Sequence, residues 1–269
     1  MSHVTVNGTE LYHELRGDGP PLLCIMGASG DAGHFQALAD LLADQFTVVT
    51  YDRRANGRSP RPAGWTTTSP EEQADDAHAL LQALGLTPAA VFGTSSGGTF
   101  ALCMLVRHPD GVRGAILHEP VLAQIYDDPQ AVAAQGRALV KAAMEAGGPR
   151  EALKRFFIMV GGEANWEALD DDLRERMLQS ADTFFNIELG TFEAYLPDDE
   201  ALGMITAPAL AIVSEHGRAP QQQAVGRLAK RLSLPVVRTP GTHLAYLDHP
   251  RELADALRPF LHHLYGMST

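Results

Sequence analysis

The stretch Ala90-Val91-Phe92-Gly93-Thr94-Ser95-Ser96-Gly97-Gly98-Thr99 constrains this chain more than any other. An apolar run suited to a buried strand enters a Gly-Thr-Ser-Ser-Gly turn, and Phe100 to Arg107 continues as a helix. This order puts Ser95 at the tip of a tight strand-to-helix bend. Gly93 and Gly97 flank it because backbone packs against backbone there. Ser95 carries a Cβ and has to accept a strained backbone, a cost that chains concentrate at functional positions. The helix opening at Ser96 aims unpaired N–H groups at the space where an oxyanion would form. A bare Gly-x-Ser-x-Gly occurs in ordinary turns. The strand before it and the helix after it make this one read as a nucleophile.

The rest of the chain supplies a sheet to carry that bend. His3–Val6 and Glu10–Arg16 alternate around Asn7-Gly8, a hairpin signal. Pro21–Met26 and Thr47–Tyr51 are short apolar runs suited to buried strands, with a helix through Phe35, Leu38, Leu41 and Leu42 between them. Ser69 to Leu84 opens with Ser-Pro-Glu-Glu, a helix start. Ala89–Phe92, Val112–His118, Ala209–Ser214 and Pro235–Thr239 are further strands, and a last helix runs from Pro250 to Tyr265. Strands alternating with helices imply a mainly parallel sheet covered on both faces. The rhythm breaks after residue 120. From Val121 to about residue 203 only helical patterns and loops occur, so the expected organisation is a core of residues 1–120 and 204–269 interrupted by a helical cap, 121–203.

A length of 269 residues is ample for one such domain. The formal charge of −12 argues against nucleic acid and anionic membrane as partners. Cys24 and Cys103 fall in a strand and a helix and read as small buried hydrophobes. The N-terminus lacks a basic segment followed by an apolar one, and no apolar run reaches the roughly 18 residues that cross a bilayer. The expectation is a soluble, cytoplasmic protein; a homodimer is left open.

A serine nucleophile needs a base, and Pro240-Gly241-Thr242-His243 follows the last strand. His243 therefore lies at the carboxyl edge of the sheet, where Ser95 lies and where open sheets of this kind place their chemistry. His108, His249, His262 and His263 sit on helical or post-helical surfaces. His34 lies near the loop after the third strand and is a candidate substrate contact. A histidine base needs a carboxylate to fix its tautomer. Glu119 ends the apolar strand Ala115-Ile116-Leu117-His118 and is the favoured candidate. Glu215 is the alternative, and the absence of a working acid is the third reading. Asp52-Arg53-Arg54-Ala55-Asn56-Gly57-Arg58-Ser59 is a strand-end loop whose charges are expected to pair internally.

These residues resemble the α/β-hydrolase superfamily along the whole chain: Met26-Gly27-Ala28, Asp52-Arg53-Arg54, the Ser95 turn, and Gly241-Thr242-His243 with Asp248-His249-Pro250. The resemblance implies an eight-stranded, mostly parallel sheet with an inserted helical cap. It also implies an oxyanion hole from the N–H groups of Ala28 and Ser96, since Met26-Gly27-Ala28 stands where the family has His-Gly-x. In most members the acid follows the penultimate strand, and glycine occupies that place in Ser214-Glu215-His216-Gly217-Arg218. More narrowly, the chain is similar to the fungal zearalenone lactonases. The matching runs are Gly93-Thr94-Ser95-Ser96-Gly97, His118-Glu119, Gly161-Gly162, Trp166-Glu167-Ala168-Leu169 and Pro240-Gly241-Thr242-His243. That group takes its acid from a glutamate after this strand, which favours Glu119. Its substrate-packing tryptophan falls at Phe184 here, and Met26, Ser29 and Thr191–Leu202 diverge.

The expected reaction is acyl transfer to water, with Ser95, His243 and Glu119 as the triad and no metal or organic cofactor. The cap is rich in aromatics, so an apolar ester or lactone of a small molecule is the expected substrate. Phe184 and Met159 are the preferred pocket residues, with Trp166 and His34 as further candidates. Carbon–carbon bond hydrolysis or cofactor-free oxygen chemistry would use the same Ser95 and His243. A non-catalytic small-molecule receptor would need neither.

Overall fold

The computed structural model describes residues 2–192 and 195–268. Its eight strands are β1 (Ser2–Val6), β2 (Thr9–Arg16), β3 (Pro21–Ile25), β4 (Thr47–Tyr51), β5 (Ala89–Thr94), β6 (Val112–His118), β7 (Ala209–His216) and β8 (Val236–Thr242). They form one sheet in the order β1-β2-β4-β3-β5-β6-β7-β8. The β1–β2 hairpin runs antiparallel, as does β2 against β4, and every other pairing is parallel. All strands from β3 to β8 therefore end at one edge.

Alternation along the strands builds two apolar layers. Leu22 and Cys24 of β3 pack with Leu38 and Leu42 of helix α1 (Gln36–Leu42) and with Leu257 of the C-terminal helix (Pro250–Tyr265). Leu23 and Ile25 point the other way, against Leu80 of α2 (Pro70–Ala83) and Phe100 of α3 (Ser96–Arg107). Ser69 caps α2 by accepting from the Glu72 N–H, with Pro70 at the first position, as that segment's sequence leads one to expect. Both cysteines are free and buried, and burial pushes each thiol up to about 12.

Between β6 and β7 the described residues are helical or irregular. Helix α4 (Pro129–Gly161) is broken at Gly147 and Gly148, where Gly148 has φ 75° and Pro149 follows. Beyond it come α5 (Glu163–Ala168), α6 (Asp171–Gln179) and the short α7 (Ala181–Thr183). A wide π-helical turn (Phe184–Glu188) then leads into α8 (Leu189–Phe192). Residues 193 and 194 of the expected cap lie outside the described residues. The strand α-helix rhythm resumes at α9 (Asp199–Gly203), β7 and α10 (Ala219–Leu232). Leu153, Phe157, Met177 and Phe184 join the same apolar layer as Leu22, so this excursion is packed onto the sheet rather than held apart. Among the described residues no helix is long and apolar enough to cross a membrane.

Strand β8 extends further than its apolar run, through Pro240, Gly241 and Thr242. It is an edge strand, where a proline without an N–H disturbs no central ladder.

Candidate active site

Ser95 leaves β5 at φ 56° and ψ −129°, a region that a residue with a Cβ enters only under constraint. The constraint is mutual anchoring: the Ser95 N–H donates to the His118 carbonyl, and the Ser95 carbonyl accepts from Gly98 and Val121. Gly97 is required by contact, since a Cβ there would lie 2.1 Å from the Ile25 carbonyl oxygen. The loop after β3 thus runs directly against the first turn of α3. Gly27 of that loop is close enough for a Cβ to fall 2.8 Å from Ser95 Cβ.

His243, 2% exposed, follows β8, and its Nδ1 lies 2.6 Å from Glu119 Oε2. Glu119 is fully buried directly after β6, at φ 43°. Its other oxygen, Oε1, accepts the Ser214 N–H at 3.0 Å. With Nδ1–H donating to the carboxylate, Nε2 is left as the acceptor. Burial alone would raise the Glu119 carboxyl. The His243 hydrogen bond, the charge that His243 carries once protonated and the Ser214 N–H outweigh it and hold the group below its ordinary value. Glu215 is exposed at the end of β7 and does not approach the ring.

The departure at residue 217 has a steric meaning. A Cβ at Gly217 would lie 1.9 Å from Glu119 Oε1. The carboxylate that comes from β6 fills the space beside the glycine that stands in the usual acid position. Behind the ring pair lies His118, fully buried and stacked 6.0 Å from His243. Its Nδ1 pairs with Thr94 Oγ1 at 2.8 Å and its Nε2 with Ser214 Oγ at 2.9 Å. Burial brings this imidazole down to about 4, so it is neutral at pH 7 and acts as a rigid spacer. Sequence reasoning attached no role to it.

The Arg53 loop pairs internally, as expected, and reaches further than a surface network would. Arg53 is fully buried; its Nε and Nη2 donate to the Met26 and Gly27 carbonyls, both at 3.1 Å. Its Nη1 also donates to Gln73 Oε1 at 3.1 Å, and Nη1 and Nη2 reach both oxygens of the fully buried Glu188, on the π-helical turn. Asp31, just beyond the β3 loop, takes a 2.6 Å bond from Arg176 of α6. Two ion pairs thus tie the helical excursion to the loop that bears Ala28.

Ser95, Ser96, Ala28 and His243 all line one cavity of about 120 Å³, roughly ten times the space that a single water needs. Of the residues expected to face a substrate, Phe184 and His34 do line it. Met159 and Trp166 do not. In α4 the cavity takes the stripe Leu153, Phe156, Phe157 and Val160, one helical face at i, i+3, i+4 and i+7, and position 159 lies off that stripe. Trp166 packs edge-on against Phe157 from behind, with Arg174 over its ring. The expectation for these two is corrected: Trp166 packs between helices, and Met159 is not among the lining residues. His34 Nδ1 accepts the Asp31 N–H at 3.1 Å, leaving Nε2–H buried without a partner. The cavity is also lined by Arg218 and Gln221, which sequence reasoning did not single out.

A sequence profile of the alpha/beta hydrolase fold family matches residues 20–250. The chain belongs to that family. This hydrolase is 31% identical over 266 residues to the uncharacterized hydrolase YraK of Bacillus subtilis (strain 168), covering 95% of this chain and 94% of that one. It is 26% identical over 263 residues to the zearalenone hydrolase of Cladophialophora bantiana, covering 93% and 92%. Among solved structures it is similar to a thermophilic esterase from Thermogutta terrifontis, with a TM-score of 0.80 at 22% identity over 98% of this chain and 99% of the other.

Proposed function

We propose that this hydrolase cleaves an ester or lactone of an apolar small molecule through an acyl-enzyme on Ser95. One observation carries the reading: a 2.6 Å His243–Glu119 bond stands behind a strained Ser95, and the serine and histidine open on one mainly apolar cavity. His243 Nε2 takes the Ser95 proton as Oγ attacks the carbonyl, and Glu119 stabilises the imidazolium. The N–H groups of Ala28 and Ser96 receive the oxyanion, each worth about 3 kcal/mol in the transition state. His243 then protonates the leaving alkoxide, and later takes a proton from the water that releases the acid. The scheme uses no metal or organic cofactor. Residues 121–203 serve as the cap, with Phe184 and His34 as substrate contacts. The relative named for zearalenone supports the reaction type and leaves the compound open.

Fluorophosphonate labelling tests the mechanism. The wild-type chain labels and hydrolyses members of a panel of aryl esters and macrocyclic lactones, and Ser95→Ala does neither. Persistent labelling of Ser95→Ala would overturn the assignment. Ligand affinity without any turnover would favour a receptor.

A further inference from the structure

The cavity has a polar pole that the triad does not use. Arg218 caps the start of α10 and is half-buried. Among the described residues its guanidinium has no acceptor, although it lines the cavity that holds Ser95. Every other buried or half-buried arginine is paired: Arg16, Arg53, Arg54, Arg58, Arg174, Arg176 and Arg258 all reach carboxylates. One turn on, Gln221 is only 6% exposed, lines the same cavity, and its Oε1 is buried with no partner. Among the described residues the buried Gln221 amide oxygen has no donor, which costs free energy, and the half-buried Arg218 guanidinium beside it has no carboxylate. In a chain with a formal charge of −12, no aspartate or glutamate among the described residues lines this cavity. Among the described residues, Arg218 is the one lining group that is charged at every working pH.

We propose that Arg218 and Gln221 form a subsite for a carboxylate carried by the substrate. The guanidinium offers paired N–H donors that match the two oxygens of a carboxylate. A half-turn of the Gln221 amide brings Nε2–H to the same group and moves its oxygen away from its unpaired position. The fold sets the distance. Arg218 and Gln221 follow β7, and Ser95 follows β5, two strands away in the sheet. Two strand spacings are about 10 Å, so the charged group lies well removed from the bond that is cut. His34 follows β3, on the opposite side of Ser95. The substrate therefore lies across the strand ends, with its apolar body under the cap and its carboxylate towards α10. This inference rests on the ester-hydrolase reading and adds a substrate class to it: esters or lactones of otherwise apolar acids or alcohols that carry a remote carboxylate.

The test is a matched pair of p-nitrophenyl esters: the half-esters of adipic and suberic acid, and the same compounds with the free carboxylate methylated. Active sites are counted by fluorophosphonate titration, so that the ratio of kcat/KM values reports on folded enzyme alone. Wild type prefers one of the charged half-esters over its methylated form by about 10- to 100-fold, the range expected of charge-assisted hydrogen bonds. In Arg218→Met that ratio falls to near one, and in Arg218→Lys it stays intermediate. A wild-type ratio below threefold for both lengths would overturn the subsite, as would a preference that survives in Arg218→Met. Calorimetry on Ser95→Ala reads the same site without turnover: adipate binds that variant more tightly than dimethyl adipate, and adding Arg218→Met erases the difference. Equal affinity, or tighter binding of the diester, refutes the subsite even if neutral aryl esters are hydrolysed through Ser95. Failure of all p-nitrophenyl esters, together with absent labelling, refutes the parent reading, and the calorimetric result still decides this one.

Discussion

If the Glu119 carboxylate occupies the space that a side chain at residue 217 would take, one site can be filled from either of two strands, and the acid can be moved. The first perturbation is Glu119→Gln. The Ser214 N–H requires an acceptor, so the new amide keeps its oxygen there and turns its NH₂ towards His243 Nδ1. Two donors then face each other, and the ring relieves the clash by moving its proton to Nε2, where it can no longer accept from Ser95. Loss of the right tautomer and of imidazolium stabilisation is worth on the order of 10⁴ in kcat, or about 5.5 kcal/mol. Gly217→Asp alone damages the site, because its Cβ would fall 1.9 Å from Glu119 Oε1. Glu119→Gly removes that obstacle and relaxes a residue at φ 43°. The double variant Glu119→Gly/Gly217→Asp is therefore expected to recover about 100-fold or more of the loss in Glu119→Gly, a non-additivity of neighbours that share a space. Steady-state hydrolysis of a p-nitrophenyl ester, scaled to titrated active sites, measures the four variants against wild type. Glu119→Gln within tenfold of wild type refutes the role of the acid. A double variant no faster than Glu119→Gly refutes the shared site.

Two further outcomes follow from buried charge. Arg53→Met strands the Glu188 carboxylate in a dry interior and should cost about 3–5 kcal/mol in urea unfolding, whereas Arg53→Met/Glu188→Met should regain part of it; equal losses would contradict the pairing. The second concerns pH. His118 titrates at 6.5 when unfolded and at about 4 when folded, so the unfolded chain binds a proton first as pH falls. Stability is intact above 6.5 and declines towards pH 4 by about 3 kcal/mol, whereas Glu119, held below 4.5, adds loss only under that value. A flat urea midpoint between pH 7 and 4.5, or an unchanged slope in His118→Gln, would sink this.

What the sequence made legible was whatever its local grammar encodes. Thr47–Tyr51 and Val112–His118 end where their apolar runs end, because buried central strands are bounded by turn residues on both sides. Ser95, Glu119 and His243 could be named because each directly follows such a strand, and parallel strands deliver their ends to one edge. Helical phase was beyond reach. Met159 and Val160 are equally apolar neighbours, and only the packing of α4 decides that the second meets the cavity. Arg218 and Gln221 looked like the polar start of an ordinary helix; no local signal marks a cation left without a carboxylate among the described residues. Arg53 was rightly read as internally paired, yet its partner Glu188 lies 135 positions away, in a block with no strand register to place it.

The Arg53–Glu188 contact has a consequence for how this enzyme can change. Phe184, which lines the cavity, and Glu188, which reaches the carbonyls of the loop bearing Ala28 through a single guanidinium, share one five-residue helical segment. Recognition and rate are thereby inherited together. A lineage that exchanges this segment to admit a new compound must carry over the acidic residue, or replace arginine and glutamate at once. Grafted lids that ignore it would be expected to yield folded chains that bind well and turn over poorly.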